Sequence, residues 1–366
     1  LSAGPLRAEE FQASLPDPAT FVSTTVTYRK SAAQELRADL FLPKKAPTAV
    51  PIAIFLNGIG ADWLRTHAQY QGWARAATGA GFAGVAMDSA PGAVESSFDD
   101  LILYLRSRAA ELRIDPDTVV VWSCSSNVAA GLPLVMDAKR TYIRAAVAYY
   151  GSASLSRTRL DLPILVVRAG LDSTSLNQRI EEMVASLIES NAPVSVVNYA
   201  GGHHGFDLLD DSPVTRAIIA DTLRFMKESA AGPLQKAIAE AVPEAEAAGF
   251  AGRSEWSRAA AAYARLAEAR PGDSGLQRML GDALAASGDH RRALDAFQKA
   301  IDLGDRNAGM ISYAAALSSV KVGDREAAFR WLERLAPIPP MRERAKGDPA
   351  FAALRDDPRF ARLLGP

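Results

Sequence analysis

From residue 21 to about residue 230, strand and helix signals alternate without a break, and past Pro233 the strand signal stops. That switch limits the fold more than any other feature of the chain. "PIAIFL" (51–56) is apolar throughout, as in a strand buried on both faces. Further strands are predicted at 82–88, at the run ending in "VVVWS", and at 145–150, 164–168 and 194–199. Helical stretches at 63–80, 98–112, 127–137, 176–190 and 213–228 separate or follow them. Two alternating strands at 22–29 and 36–42, joined by a short turn, read as an antiparallel edge. Alternation of this kind predicts an α/β domain, a mostly parallel sheet with helices on both faces, followed by an all-α domain. The expected division is an N-terminal extension at 1–20, the α/β domain at 21–232 and the helical domain at 233–366.

A chain of 366 residues exceeds one ordinary core, in keeping with two domains. It is 48% hydrophobic and 23% charged, with a formal net charge of −1, which describes a globular protein. No cluster of Lys and Arg interleaved with aromatics marks a nucleic-acid partner. No apolar run approaches the roughly 18 residues of a membrane span. Cys124 is the only cysteine, so neither an intrachain disulfide nor a Cys-based zinc site is expected. The chain begins at Leu1. Removal of a leader before it would imply a periplasmic or secreted protein, and otherwise a cytoplasmic one is expected.

"VVVWSCSSNVAAG" (119–131) runs a buried strand straight into a helix, with four small reactive side chains between them. A sharp strand-to-helix turn lifts its central residue clear of the sheet and aims the helix N–H groups at it. Strand and helix crowd there, so small residues are needed two before and two after the centre. Centring on Cys124 puts bulky Trp122 in a crowded place, and centring on Ser126 puts Val128 there. Ser125 fits best, with Ser123 and Asn127 flanking it. Asn127 stands where Gly is usual, and Asn tolerates left-handed backbone.

A serine nucleophile needs a general base, most often His. The chain has four: His67, His203, His204 and His290. His203 and His204 lie in "YAGGHHGFDLLDD", after the last strand, whereas His290 falls in the helical half at a helix start. "PILVVRAGLDSTSLN" delivers Asp172 just past a strand end. Asp207, three residues from His204, is the alternative acid, with a helix-start carboxylate as its plainer explanation. "LNGIG" (56–60) puts two glycines at the end of the 51–56 strand, where backbone can come close to a ligand.

Through "LNGIG", "WSCSSN", "RAGLD" and "HHGFD", residues 20–230 resemble an α/β-hydrolase, and more narrowly the dienelactone-hydrolase-like group. The resemblance implies a sheet of about eight strands and serine or cysteine hydrolase chemistry on acyl compounds. Its chain order Ser, Asp, His implies Ser125 as nucleophile, Asp172 as acid and His204, followed by Gly-Phe as in the family, as base. The order sets His67 aside, and His203 is the alternative base. The amides of Ile59 and Ser126 are expected to bind the oxyanion. Dienelactone hydrolases use Cys at the elbow; the frame here gives Ser125, so lactone activity does not carry over. Lids in this fold usually follow the strand after the elbow helix, and 151–163 is too short for one. Trp63, Trp122 and Tyr150 are candidate walls of an acyl pocket. No metal and no organic cofactor is expected.

In the helical half, Ala259, Ala293 and Ala328 recur at intervals of 34 and 35 residues. Tyr263, Phe297 and Leu332 follow each by four, and Pro271, Asp305 and Pro340 by twelve. This resembles the tetratricopeptide repeat over about 234–340, with a small residue where two helices touch, a larger one a turn later and a helix stop. The tail, through Phe351, Leu354, Phe360, Leu363 and Leu364, would cap the stack. The function expected is a serine esterase acting on a small acyl ester. Its rivals are an acylaminopeptidase-like peptidase and a repeat scaffold that binds a protein or peptide beside a vestigial hydrolase.

Overall fold

The structure, a computed structural model, describes residues 10–365 except 32, 33 and 47. The first nine residues of the expected N-terminal extension lie outside the described residues. Of its remainder, Phe11 packs edge-on against Trp73 at 5.3 Å, and the Gln12 N–H donates to the Asp207 carbonyl.

The elements follow in the order β1 (Phe21–Lys30), β2 (Glu35–Pro43), β3 (Val50–Phe55), α1 (Ala68–Gly79), β4 (Ala83–Met87), α2 (Val94–Ser107), α3 (Ala109–Leu112) and β5 (Ile114–Cys124). Then come α4 (Val128–Val135), β6 (Ile143–Tyr149), β7 (Ile164–Ala169), α5 (Thr174–Glu189), β8 (Val194–Tyr199), α6 (Phe206–Leu209) and α7 (Pro213–Ala230). One eight-stranded sheet has the order β1-β2-β4-β3-β5-β6-β7-β8. β2 pairs antiparallel with β1 and β4, and the pairs from β4 through β8 are parallel. This is the α/β-hydrolase fold.

The side-chain period of two builds both faces of the sheet. Ile52, Ile54 and Leu56 enter one core with Val119 and Val121, while Ala53 and Phe55 enter the other with Val120 and Trp122. Each large apolar side chain buried this way contributes about 1.5–3 kcal/mol. The edge strand β8 has no fully buried residue and carries Ser195 and Asn198 among its valines. Along the sheet, β3 is followed by β4 on one side and β5 returns on the other. The connections therefore diverge between β3 and β5, and a crevice opens at their carboxyl ends.

Helix boundaries differ from the sequence expectation where local bonds intervene. The stretch expected at 63–80 starts with a 3₁₀ turn, Leu64–Thr66, before α1. The stretch expected at 98–112 begins earlier, at Val94, and breaks at Arg108 into α2 and α3.

Two compact units divide between Glu240 and Ala241, inside α8 (Gly232–Gly252). The second unit continues with α9 (Trp256–Ala269), α10 (Ser274–Ala286), α11 (His290–Asp302), α12 (Ala308–Lys321), α13 (Arg325–Leu335), α14 (Pro339–Gly347) and α15 (Pro358–Leu364). Asp273, Asp289, Asp324 and Asp357 each cap the helix that follows, accepting from a first-turn N–H. Gly288, Gly304 and Gly323, at φ of 78–90°, end the helices before them. The recurring Ala259, Ala293 and Ala328 fall on α9, α11 and α13 and are fully buried. A Cβ at Gly281 would lie 2.5 Å from the Phe297 ring, so α10 and α11 touch at a residue without a side chain. Phe351, Leu354, Phe360 and Leu364 of the tail belong to the same core.

Candidate active site

β5 ends with Cys124 in extended backbone, and Ser125 turns at a φ of 52°. A non-glycine residue there is strained, and such strain collects at functional turns. Helical backbone resumes at Asn127 and continues into α4. The crowding inferred from the sequence is present: a Cβ added to Gly131 of α4 would lie 2.9 Å from the Ser123 Cβ. On the far side, a Cβ on Gly151 would lie 2.2 Å from the Ser125 carbonyl. The Ser125 turn is thus wedged between small residues.

Ser125 Oγ lies 2.8 Å from His204 Nε2, and His204 Nδ1 lies 2.5 Å from Asp172 Oδ2. The Asp172 carboxylate is only 9% exposed and also accepts from the Ser173 N–H at 2.7 Å. With its proton on Nδ1 toward that carboxylate, His204 presents the Nε2 lone pair to the serine hydroxyl. His203 turns away, its Nδ1 3.2 Å from Asp210. His67 caps the start of α1, and His290 lies near Ser318 in the second unit.

The other candidates take different places. Cys124 points into the core, where burial first, and the nearby Asp207 second, push its thiol well above its ordinary value. A thiol held protonated is no nucleophile. Asp207 is fully buried and accepts from Gln69 Nε2 and Trp73 Nε1, both at 2.8 Å, and from the Tyr150 hydroxyl at 2.7 Å. Burial pushes its carboxyl up, and those three donors oppose the rise. It is a core carboxyl beneath the site, on the short α6 that the sequence reading did not anticipate.

Two of the three candidate pocket residues are buried. Trp122 is fully buried among Phe55, Tyr70, Trp73 and Tyr149, because the alternation along β5 sends it inward. Tyr150 is likewise buried; its ring backs His204 at 4.7 Å and its hydroxyl reaches Asp207. Trp63 is 55% exposed and meets His67 edge-on. A groove of about 390 Å³ lies along Ala129, Ser152–Leu155, Arg179 and Met183, and none of Ser125, His204 and Asp172 lines it. Ala129 stands one helical turn beyond Ser125.

The Ile59 N–H donates to Asn127 Oδ1 at 2.9 Å, as the Gly58 N–H does at 2.6 Å. The expected oxyanion donor therefore has an internal acceptor. Sequence reasoning missed this role of Asn127; its one signal was an Asn where the elbow usually has Gly.

Among the described residues, no three His, Cys, Asp or Glu side chains gather where they could hold a metal ion. No helix among them is long and apolar enough to cross a membrane. No curated protein matches the chain. Among solved structures, the chain is similar to a fungal esterase from Rhizomucor miehei, at 17% identity and a TM-score of 0.49, over 60% of this chain and 86% of that one. It is similar to carboxyl esterase 2 of the fungus Tuber melanosporum, at 14% identity and 0.48, over 62% and 93%. It is also similar to brefeldin A esterase, a bacterial homologue of human hormone-sensitive lipase, at 14% and 0.48, over 60% and 81%. Residues 94–230, from α2 through α7, match the Dienelactone hydrolase family, and that match supports a hydrolase.

Proposed function

We propose that the protein is a serine hydrolase of carboxylic esters, with Ser125, His204 and Asp172 as its triad. The observation that carries this reading is the Ser125–His204–Asp172 relay, at 2.8 and 2.5 Å, set on a turn whose serine has a φ of 52°. Ser125 Oγ attacks the ester carbonyl carbon while its proton passes to His204 Nε2. The carbonyl electron pair moves onto oxygen, which the amides of Ser126 and Ile59 stabilise. As the tetrahedral adduct collapses, His204 gives the proton to the leaving alkoxide and an acyl-Ser125 ester remains. Water, deprotonated by His204, attacks that ester; the acid leaves and Ser125 regains its proton. Asp172 keeps the imidazole in register and favours its charged form. The mechanism calls on no metal and no organic cofactor.

The segment 151–163, all of it described, contains neither helix nor strand, in keeping with a site without a lid. The open groove along Ala129 and Ser152–Leu155 suits a short acyl or alcohol group. A panel of p-nitrophenyl esters from acetate to palmitate, run beside a p-nitroanilide, tests the reading. Hydrolysis confined to short esters is expected; anilide cleavage without ester cleavage would favour the peptidase.

For the second unit, the 34-residue recurrence and the Gly281–Phe297 contact support a tetratricopeptide-like stack. A groove of about 460 Å³ crosses its helices at Ala264, Gln277, Leu284, Arg292 and Lys299, a place for a peptide or protein segment. The scaffold reading gains weight only if the ester panel and serine-directed probes both fail.

A further inference from the structure

We infer that Asn127 is a positioning residue that holds the oxyanion loop and reserves the Ile59 amide for the transition state; the inference rests on the serine-hydrolase reading above. Asn127 is 3% exposed, and every polar atom of its side chain is engaged. Oδ1 accepts from the Gly58 N–H at 2.6 Å and the Ile59 N–H at 2.9 Å, while Nδ2 donates to the Tyr70 hydroxyl at 2.9 Å. Tyr70 is itself buried, and its hydroxyl donates to the Leu56 carbonyl at 3.4 Å. The carboxamide is therefore aimed from below by a fixed phenol, with its oxygen toward the loop.

The loop and the elbow also touch through backbone. A Cβ on Gly58 would lie 2.7 Å from the Asn127 carbonyl oxygen. Asn57 stiffens the loop from within, donating to the Ala61 carbonyl at 2.7 Å and accepting from the Gly60 N–H at 3.0 Å. Two successive amides thus converge on one carboxamide oxygen two residues past the candidate nucleophile.

That arrangement has a consequence for catalysis. In the resting site, Ile59 donates to a neutral oxygen. An ester carbonyl is also neutral and gains little by competing for that N–H. The alkoxide formed when Ser125 attacks is charged, and hydrogen bonds to a charged acceptor are roughly twice as strong. The Ile59 N–H then turns to the alkoxide, while the Gly58 N–H stays on Oδ1 and keeps the loop in place. An interaction made only as charge develops raises kcat rather than tightening substrate binding.

The test uses the full chain. Asn127→Ala should lower kcat for a p-nitrophenyl ester by about 10- to 100-fold, with KM within about twofold. Amide hydrogen exchange at Gly58 and Ile59 should quicken in the same variant. Asn127→Asp keeps an acceptor for both amides but sets a negative charge beside the alkoxide, so kcat should fall while exchange protection stays. Tyr70→Phe, which keeps the ring and loses the aiming hydroxyl, should lower kcat by a smaller factor, and it decides the question if Asn127→Ala does not fold. Unchanged kcat in Asn127→Ala, a rise in KM alone, or unchanged exchange at both amides would overturn the proposal and leave the hydrolase reading standing. A wild-type protein that a fluorophosphonate does not label at Ser125 would overturn both.

Discussion

Ser125 Oγ and His204 Nε2 stand 2.8 Å apart although 79 residues separate them in the chain. The elbow after β5 supplies one and the loop after β8 the other, with Asp172 arriving from the end of β7. The parallel sheet is what brings three strand ends to one edge. A pair joined this way makes sharp demands on substitution.

His204→Asn and Asp172→Asn should each lower ester turnover by about 10³-fold or more, because each removes a member of the relay. His203→Asn and Asp207→Asn should retain most activity, since His203 faces Asp210 and Asp207 lies in the core. Steady-state kinetics on the four variants checks this. Activity surviving in Asp172→Asn but lost in Asp207→Asn would reverse the assignment of the acid.

Asp207 should also shape stability against pH. Burial raises its carboxyl above the ordinary value, so the folded chain holds this proton more tightly than the unfolded one. Its contribution is therefore complete below the unfolded value, about 4, and declines as pH rises through the raised folded value. Urea unfolding between pH 4 and 8 should show a smaller decline in Asp207→Asn than in wild type. Asp207→Ala, which strands the donors of Gln69, Trp73 and Tyr150, should cost about 3 kcal/mol or more.

The two tryptophans proposed from the sequence as pocket walls should behave oppositely. Trp122→Ala empties a fully buried site and should cost about 3–5 kcal/mol. Trp63→Ala, at an exposed position, should change stability by about 0.5 kcal/mol or less. Denaturant melts of both variants measure the difference. Equal losses would place Trp63 in a packed environment that the structure does not give it.

A chain ending at Glu240 should fold cooperatively. The two cores of the sheet use residues up to Met226, and the helical core begins at Ala247. Ending at Ala231 instead removes Gln235, whose side chain donates to the carbonyls of Arg144 and Ser229, so that shorter chain should melt at a lower temperature. Circular dichroism melts compare the two, and an insoluble product ending at Glu240 would mean that the sheet needs the second unit to fold.

How far the sequence led depends on the range of the forces involved. The strands were legible because runs such as Ile52–Leu56 are apolar on both faces, which only a covered parallel sheet requires. The tight turn at Ser125 was legible from steric crowding among neighbours in the chain. Trp122 is near Ser125 in sequence, but alternation on β5 turns it into the core, which nearness in sequence does not reveal. The role of Asn127 was out of reach, since Tyr70, 57 residues away, aims its carboxamide. α6, at four residues, is too short to show a helical period.

The central claim is that Ser125 is the nucleophile, and site mapping of a fluorophosphonate adduct tests it most directly. The wild-type chain should carry one adduct, found by peptide mass spectrometry on Ser125, and Ser125→Ala should carry none while Cys124→Ala is labelled as wild type. No adduct in the wild type, or an adduct on Ser123 or Ser126 that persists in Ser125→Ala, would contradict the account.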